Sequence, residues 1–186
     1  MIKETKSQVT PFIIIGLVIL IAASFIMYYK RFILTEPDLV PEDIKPIKNY
    51  VESCLERVGE QAIVKLGMQG GYIYIPDEIK LGKSYVEFIP RSSLIVPYWY
   101  YNKINLVPPI ELMQEHISRY VKEEIKDCID FEIFKYDFEI EAIEDIEVET
   151  TIAAEDVNIN MEYNLIILNK LQGDQTKLSK FSITLP

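Results

Sequence analysis

The stretch Val157-Asn-Ile-Asn-Met-Glu-Tyr-Asn-Leu165 alternates apolar and polar residues with a period of two. Successive side chains of a β-strand point to opposite faces, so this pattern predicts a strand with one buried and one solvated face. Two flanking segments show the same alternation: Ile146, Val148, Thr150, Ile152, and Phe181, Ile183, Leu185. Breaks at residues 153–156 and 172–174 separate the segments, which predicts a three-stranded antiparallel meander between about residues 139 and 185.

Two earlier segments repeat apolar residues every three or four positions, the spacing of one helix face. The first follows Pro46 and contains Ile47, Val51, Cys54, Leu55, Val58, Ala62 and Leu66. We expect Gly67 to end this helix in the left-handed conformation. The second follows Pro108-Pro109 and contains Ile110, Met113, Ile117, Tyr120, Val121 and Cys128. Together these segments predict an α+β fold, with two amphipathic helices packed on a small antiparallel sheet.

The two cysteines of the chain lie on the two helical stripes, one on each. Packing the stripes together brings Cys54 and Cys128 close, so we predict a disulfide between them. The alternative is a pair of buried thiols, because cysteine also behaves as a small apolar residue. A disulfide favours an extracytoplasmic compartment.

Between the two helices, residues 68–107 contain short aromatic and β-branched segments, including Tyr72-Ile-Tyr-Ile75, interrupted by prolines. This composition predicts short strands and loops. Gly70-Gly71 follows a helix instead of preceding one, which is the wrong order for a phosphate-binding loop. We expect these glycines to supply the positive φ angles with which the chain leaves the helix.

Four consecutive aromatic residues form the most unusual local composition: Tyr98, Trp99, Tyr100, Tyr101. Exposed aromatic rings provide a large, rigid contact area, so this segment is a candidate contact patch for a protein or a sugar. The alternative is that the rings belong to the core. In a strand, alternation directs two of the four outward.

Catalytic and metal-binding patterns are weak in this sequence. His116, the single histidine, has acidic neighbours at Glu111 and Glu115 but no accompanying nucleophile motif, so we predict a solvated helix residue. Neither cysteine has a second ligand at zinc spacing. We therefore expect no catalytic residue, metal or cofactor. The acidic residues of one segment predict a solvated strand face instead of a calcium site: Glu139, Glu141, Glu144, Asp145, Glu147, Glu149.

Residues 7–29 carry no formal charge. As a helix, this run would be about 34 Å long, enough to cross a hydrocarbon layer of about 30 Å. We predict a transmembrane helix at residues 11–29, after a short tail at residues 1–10 and before a linker at residues 30–45. The alternatives are a buried core helix and a cleaved signal peptide. Residues 46–186 then form the head domain; because Pro186 directly follows strand-like sequence, we also consider a C-terminal truncation.

The charge is unevenly distributed, since residues 1–35 carry +3 of a total of −10 and the remainder therefore carries −13. Such an acidic head repels phosphate backbones, which argues against a nucleic-acid partner. The positive charges on the two sides of the apolar run are nearly balanced, so they do not decide its orientation. The predicted disulfide favours an extracytoplasmic head.

The opening Lys6-Ser-Gln-Val-Thr-Pro-Phe-Ile-Ile-Ile-Gly16 resembles the start of archaeal membrane proteins with class III, pilin-like signal sequences. Three further blocks resemble uncharacterised archaeal single-pass membrane proteins: Tyr50-Val-Glu-Ser-Cys-Leu55, Leu66-Gly-Met-Gln-Gly-Gly-Tyr-Ile73, Tyr98-Trp-Tyr-Tyr-Asn102. The resemblance implies a cell-membrane location and a candidate processing site at Ser7 and Gln8. Pilins normally carry Glu where this chain has Phe12, so the pilin-like alternative is a minor subunit.

The resulting hypothesis is a membrane-anchored, non-enzymatic extracytoplasmic domain that mediates protein contacts at the cell envelope. Its partners are then the lipid bilayer, through residues 11–29, and a protein. One alternative is a minor pilin-like subunit of a surface filament. The other is a sugar-binding or enzymatic surface domain.

Overall fold

The computed structural model describes residues 14–17, 19–21, 24, 40–87 and 94–186. The chain divides into two compact units, Met1–Val40 and Pro41–Pro186. Most of the predicted transmembrane helix at 11–29, the candidate processing site at Ser7 and Gln8, and residues 30–39 of the linker lie outside the described residues. Within the described residues, no helix combines the length and the apolarity needed to span a bilayer.

The second unit has an α+β fold, as predicted: two long helices pack on a four-stranded antiparallel sheet. The first helix, α1, is Lys45–Met68, and all seven residues of its predicted stripe are buried. The C-terminal prediction was wrong in detail, because Gly67 lies inside α1. The positive φ angles occur at Gly70 (65°) and Gly71 (94°), and the Gly71 N–H donates to the carbonyl of Leu66 (2.8 Å).

In the described part of the segment between the long helices the elements are short, as predicted, but they include a helix as well as strands. They are the helix α2 (Asp77–Leu81) and the strands β1 (Tyr85–Glu87), β2 (Ile95–Pro97), β3 (Tyr100–Tyr101) and β4 (Ile104–Asn105). Residues 72–75, one of the β-branched and aromatic segments of this region, form no strand and are irregular. Their apolar side chains are nevertheless buried, and Tyr72, Ile75 and Ile79 form a small core of their own.

The second long helix, α3, is Ile110–Cys128 and begins after the two prolines, as predicted. Ile117 and Val121 of the expected stripe are buried, whereas Ile110, at the first turn, is exposed. The disulfide between Cys54 and Cys128 is confirmed, with the two Cα atoms 5.8 Å apart. It joins the middle of α1 to the last residue of α3.

The sheet contains one strand more than the predicted three. After a 3-10 turn at Phe131–Phe134, its strands are β5 (Phe138–Ala142), β6 (Glu147–Ile152), β7 (Val157–Asn169) and β8 (Gln175–Leu185). The long β7 is central: β8 pairs along one side of it, and β5 and β6 pair one after the other along the opposite side. The fourth strand is β5, which pairs with the second half of β7.

The main core lies between this sheet and the two long helices. Its buried apolar side chains on β7 and β8 are Ile159, Met161, Leu165, Ile167, Leu178, Phe181 and Leu185. Helix α1 lies close to the sheet at Gly59, where an added Cβ would come within 2.8 Å of the Cδ1 atom of Ile159. Glycine therefore permits the close packing of helix and sheet at this point.

Candidate functional site

The four consecutive aromatic residues lie on a small hairpin, here called the aromatic hairpin (residues 98–106). Strands β3 and β4 pair through Tyr100 with Asn105 and Tyr101 with Ile104. Asn102 and Lys103 form the two-residue turn with positive φ angles of 50° and 67°. Turns with two positive φ angles match the twist of paired strands, and asparagine tolerates this conformation well. Asn102 thus favours this tight turn, whereas Lys103 adopts a backbone conformation that lysine seldom takes.

All four aromatic side chains are exposed, whereas the alternation rule predicted two. The exposed fractions are 42% for Tyr98, 58% for Trp99, 68% for Tyr100 and 36% for Tyr101. The rule assumes that one face of a strand lies on a core. In the described residues β3 and β4 pair only with each other, so both faces of this short ribbon reach solvent. The nearby Ile104 is exposed as well and extends the apolar surface.

Backbone and ring contacts give the aromatic hairpin a defined shape. The Tyr98 N–H donates to the carbonyl of Ser84 (2.9 Å), and the Leu106 N–H donates to the carbonyl of Trp99 (2.8 Å). The rings of Tyr98 and Tyr101 are stacked, with centroids 5.6 Å apart and planes inclined by 11°. Rings fixed in this way lose little conformational entropy when they bind a partner.

Residues 69–75, here called the support segment, hold both ends of the aromatic hairpin. At one end, Trp99 Nε1–H donates to the carbonyl of Gly70 (2.9 Å). At the other end, the Tyr72 hydroxyl donates to the carbonyl of Leu106 (2.8 Å). The side chain of Gln69 also donates to the carbonyls of Tyr72 and Ile73, at 2.9 and 3.0 Å. The irregular backbone of the support segment is therefore well satisfied by hydrogen bonds.

His116 fixes the support segment from helix α3, and its predicted solvated position is wrong. Its side chain is only 7% exposed, and its Nδ1 atom accepts a hydrogen bond from the Ile73 N–H (3.2 Å). The imidazole also contacts the rings of Tyr72 and Tyr74, at centroid distances of 6.1 and 5.5 Å. Burial, as the largest influence, lowers the pKa of His116, so the neutral form is favoured.

A polar cluster next to His116 contains Tyr74, Arg119 and Glu123. The Tyr74 hydroxyl donates to Glu123, and Arg119 Nε lies 2.8 Å from the Glu123 carboxylate. The Arg119 guanidinium also lies 4.1 Å from the centre of the Tyr74 ring. These two hydrogen bonds lower the pKa of Glu123, while burial followed by the Glu123 contact raises the pKa of Tyr74. At neutral pH the cluster therefore has the charge state that its hydrogen bonds require.

A groove of about 550 Å³ lies along the C-terminal half of α1. Its lining includes exposed apolar side chains of α1, Val64 and Met68, and two residues of the support segment, Gln69 and Ile73. The sequence analysis missed this groove. Val64 is absent from the predicted apolar stripe, and Met68 lies beyond its last residue, but neither fact indicated a concave surface.

The other candidate sites from the sequence remain simple surface or structural features. The six acidic residues from Glu139 to Glu149 are all exposed. Four of them lie on strands, as expected for a solvated strand face: Glu139 and Glu141 on β5, Glu147 and Glu149 on β6. Glu144 and Asp145 lie in the connection between these strands, so for them the strand prediction is wrong. Among the residues that the structure describes, no group of three or more His, Cys, Asp or Glu side chains could hold a metal ion. The aromatic hairpin and its support are thus the most developed candidate site.

Comparisons with models of known protein families, with curated proteins and with solved structures found no match to this chain.

Proposed function

We propose that this chain is a membrane-anchored, non-enzymatic domain that binds a protein partner at the cell envelope through the aromatic hairpin. The observation that carries the proposal is the exposure of four consecutive aromatic side chains on a ribbon held at both ends by hydrogen bonds. Tyrosine and tryptophan are enriched among the residues that dominate binding energies at protein interfaces. Exposed apolar patches on a folded domain commonly mark such interfaces.

The acidic character of the head supports a protein partner over a nucleic acid or an anionic lipid surface. Residues 36–186 carry a net charge of −13, because residues 1–35 carry +3 and the whole chain −10. Electrostatic repulsion therefore opposes binding to a nucleic acid or to an anionic lipid surface. The turn of the aromatic hairpin carries a single charge, at Lys103. An aromatic surface with a single charge within an acidic domain fits a protein interface, because the centres of such interfaces are poor in charged residues.

The proposed anchor is the helix at residues 11–29, within the uncharged run of residues 7–29. Its described residues, 14–17, 19–21 and 24, are α-helical. The large apolar side chains among them, such as Ile14, Leu17 and Leu20, are exposed. Exposed apolar residues on a helix are stabilised by lipid, which supports a transmembrane anchor. The confirmed disulfide supports an extracytoplasmic position of the head.

Site-specific crosslinking tests the proposed interface. With a photo-activatable amino acid in place of Tyr100, the full chain in native membranes should crosslink to a protein. Tyr136 provides a matched control, because it is also an exposed tyrosine but lies outside the aromatic hairpin. A partner crosslinked from position 100 and not from position 136 supports the proposal. Equal crosslinking from both positions, or none from position 100, contradicts it.

The substitution Tyr98→Ala should reduce this crosslink about tenfold, which corresponds to a loss of about 1.4 kcal/mol of binding free energy. Tyr98 is exposed and stacks on Tyr101, so its removal takes away contact area and loosens a second ring. The fold should be preserved, since exposed positions contribute little to stability. Tyr136→Ala is the control. A crosslink that survives Tyr98→Ala unchanged would exclude this ring from the interface.

The anchor makes a separate prediction. Leu20→Arg places a charge in the middle of the apolar run, which costs roughly 3 kcal/mol and should shift the insertion equilibrium by about two orders of magnitude. Alkaline extraction of membranes measures the change. Leu171→Arg is the control, because Leu171 is an exposed leucine in the head. If both variants remain in the membrane fraction to the same extent, the proposed anchor is wrong.

A further inference from the structure

His116 connects helix α3 to the backbone of the support segment, because its Nδ1 atom accepts a hydrogen bond from the Ile73 N–H. The hydrogen bond from the Ile73 N–H requires an unprotonated Nδ1 atom. The preceding residue, Tyr72, donates a hydrogen bond from its hydroxyl to the carbonyl of Leu106, at the end of the aromatic hairpin. Gly70, three residues before Ile73, accepts a hydrogen bond from the indole of Trp99, near the beginning of the aromatic hairpin. The position of Ile73 therefore bears directly on both attachments of the aromatic hairpin.

We propose that His116 is a pH-sensitive latch, which holds the support segment and the aromatic hairpin in place when it is neutral and releases them when it is protonated. An imidazolium has N–H groups at both nitrogens, so its Nδ1–H would face the Ile73 N–H and the hydrogen bond would be lost. The positive charge would also be created in a site where the side chain is 7% exposed. Both effects favour movement of the support segment away from α3.

The groups around His116 set the pH range in which the latch opens. Tyr72 and Tyr74 face it from the support segment, and Glu115 and Arg119 act on it from its own helix. Burial lowers the pKa of His116 most strongly; the Glu115 carboxylate raises it and the Arg119 guanidinium lowers it. The unfolded chain thus binds this proton more readily than the folded one. The stability contributed by neutral His116 is complete above about pH 6.5 and is lost as the pH falls through the folded pKa.

The chain contains one histidine and one tryptophan, which makes the latch directly measurable. In the full chain in detergent, the histidine proton resonances report the protonation of His116, and fluorescence anisotropy reports the mobility of Trp99. We expect one transition in both signals, with a common midpoint below pH 6.5 and lower anisotropy on the acidic side. A constant Trp99 signal while His116 titrates, or a midpoint at or above pH 6.5, would overturn the proposal.

Two variants separate His116 from the other titrating groups. His116→Asn keeps an acceptor oxygen near the position of Nδ1 but does not titrate, so the Trp99 transition should disappear. Glu115→Gln keeps the histidine and removes the nearby negative charge, so the midpoint should move to lower pH. Glu115 is exposed, so this variant serves even if His116→Asn folds poorly. An unchanged midpoint in Glu115→Gln, or an unchanged transition in folded His116→Asn, contradicts the latch.

The latch itself needs no binding partner, but its consequence for binding rests on the proposed function of the aromatic hairpin. Under that function, the crosslink from position 100 should weaken on acidification in the original chain and stay constant in His116→Asn. If the original chain shows no Trp99 transition but still crosslinks from position 100, the latch is rejected and the interface is left intact. A clear Trp99 transition without any crosslink would reject the interface and leave the latch intact.

Discussion

Replacing both Cys54 and Cys128 by alanine should lower the free energy of unfolding of the head by about 4 kcal/mol. The disulfide spans 74 positions of the chain, and the loop-entropy relation gives about this value for a closed loop of that length. For a folded unit of this size, the expected fall in the melting temperature is roughly 10 to 15 °C. Urea unfolding of the two proteins under oxidising conditions measures the difference.

The closed loop explains why the disulfide also affects the candidate site. It contains the second half of α1, the support segment, the aromatic hairpin and α3. Reduction of the original chain should therefore reproduce the stability of the double alanine variant, while the reductant should leave the variant unchanged. A loss below about 1 kcal/mol would mean that packing between α1 and α3 restricts this loop even when the chain is unfolded.

The helices and the disulfide were predictable because one physical pattern fixed them. Apolar residues at intervals of three and four identified the buried faces of α1 and α3, and a cysteine on each face placed the two sulfur atoms at the same helix contact. The strands β6, β7 and β8 were predictable from alternation. Both patterns depend only on which residues of one helix or strand are buried, so they can be recognised within a short stretch of sequence.

The fourth strand, β5, alternates like the others, but its acidic residues were grouped with those of β6, and its pairing was missed because the part of β7 that it contacts does not alternate. Strand β5 pairs with the second half of β7, where Ile166, Ile167 and Leu168 are consecutive and give no period of two. On β8, the side of the sheet to which the buried residues point changes along the strand, and the sequence contains evidence of this change. Leu178 and Phe181 are both buried although they are three residues apart, and the register of β7 with β8 shifts at this point. An odd interval between buried residues of one strand therefore indicated a bulge.

The candidate site was predicted only in part, since its form depends on irregular backbone. His116 lies next to Ile117 on the buried stripe of α3, but its polarity suggested exposure. Its burial depends on the Ile73 N–H, a donor in a segment without regular structure, and no sequence pattern reveals such a donor. The aromatic residues were recognised, yet the exposure of all four depends on a ribbon whose two strands, within the described residues, pair only with each other.

Phe181→Ala should destabilise the head by about 3 to 5 kcal/mol, because it removes a large side chain from the centre of the core. Phe181 is 1% exposed and lies opposite Met161, where β8 pairs with β7. The cost combines lost apolar burial with the cavity that remains, so Phe181→Leu should cost less. Leu171→Ala, at an exposed position of the turn before β8, should change stability by less than about 0.5 kcal/mol. Urea unfolding of the three variants measures these differences. Similar small losses of stability in Phe181→Ala and Leu171→Ala would contradict this prediction. The buried side chain of Phe181 would then contribute little to the free energy of unfolding.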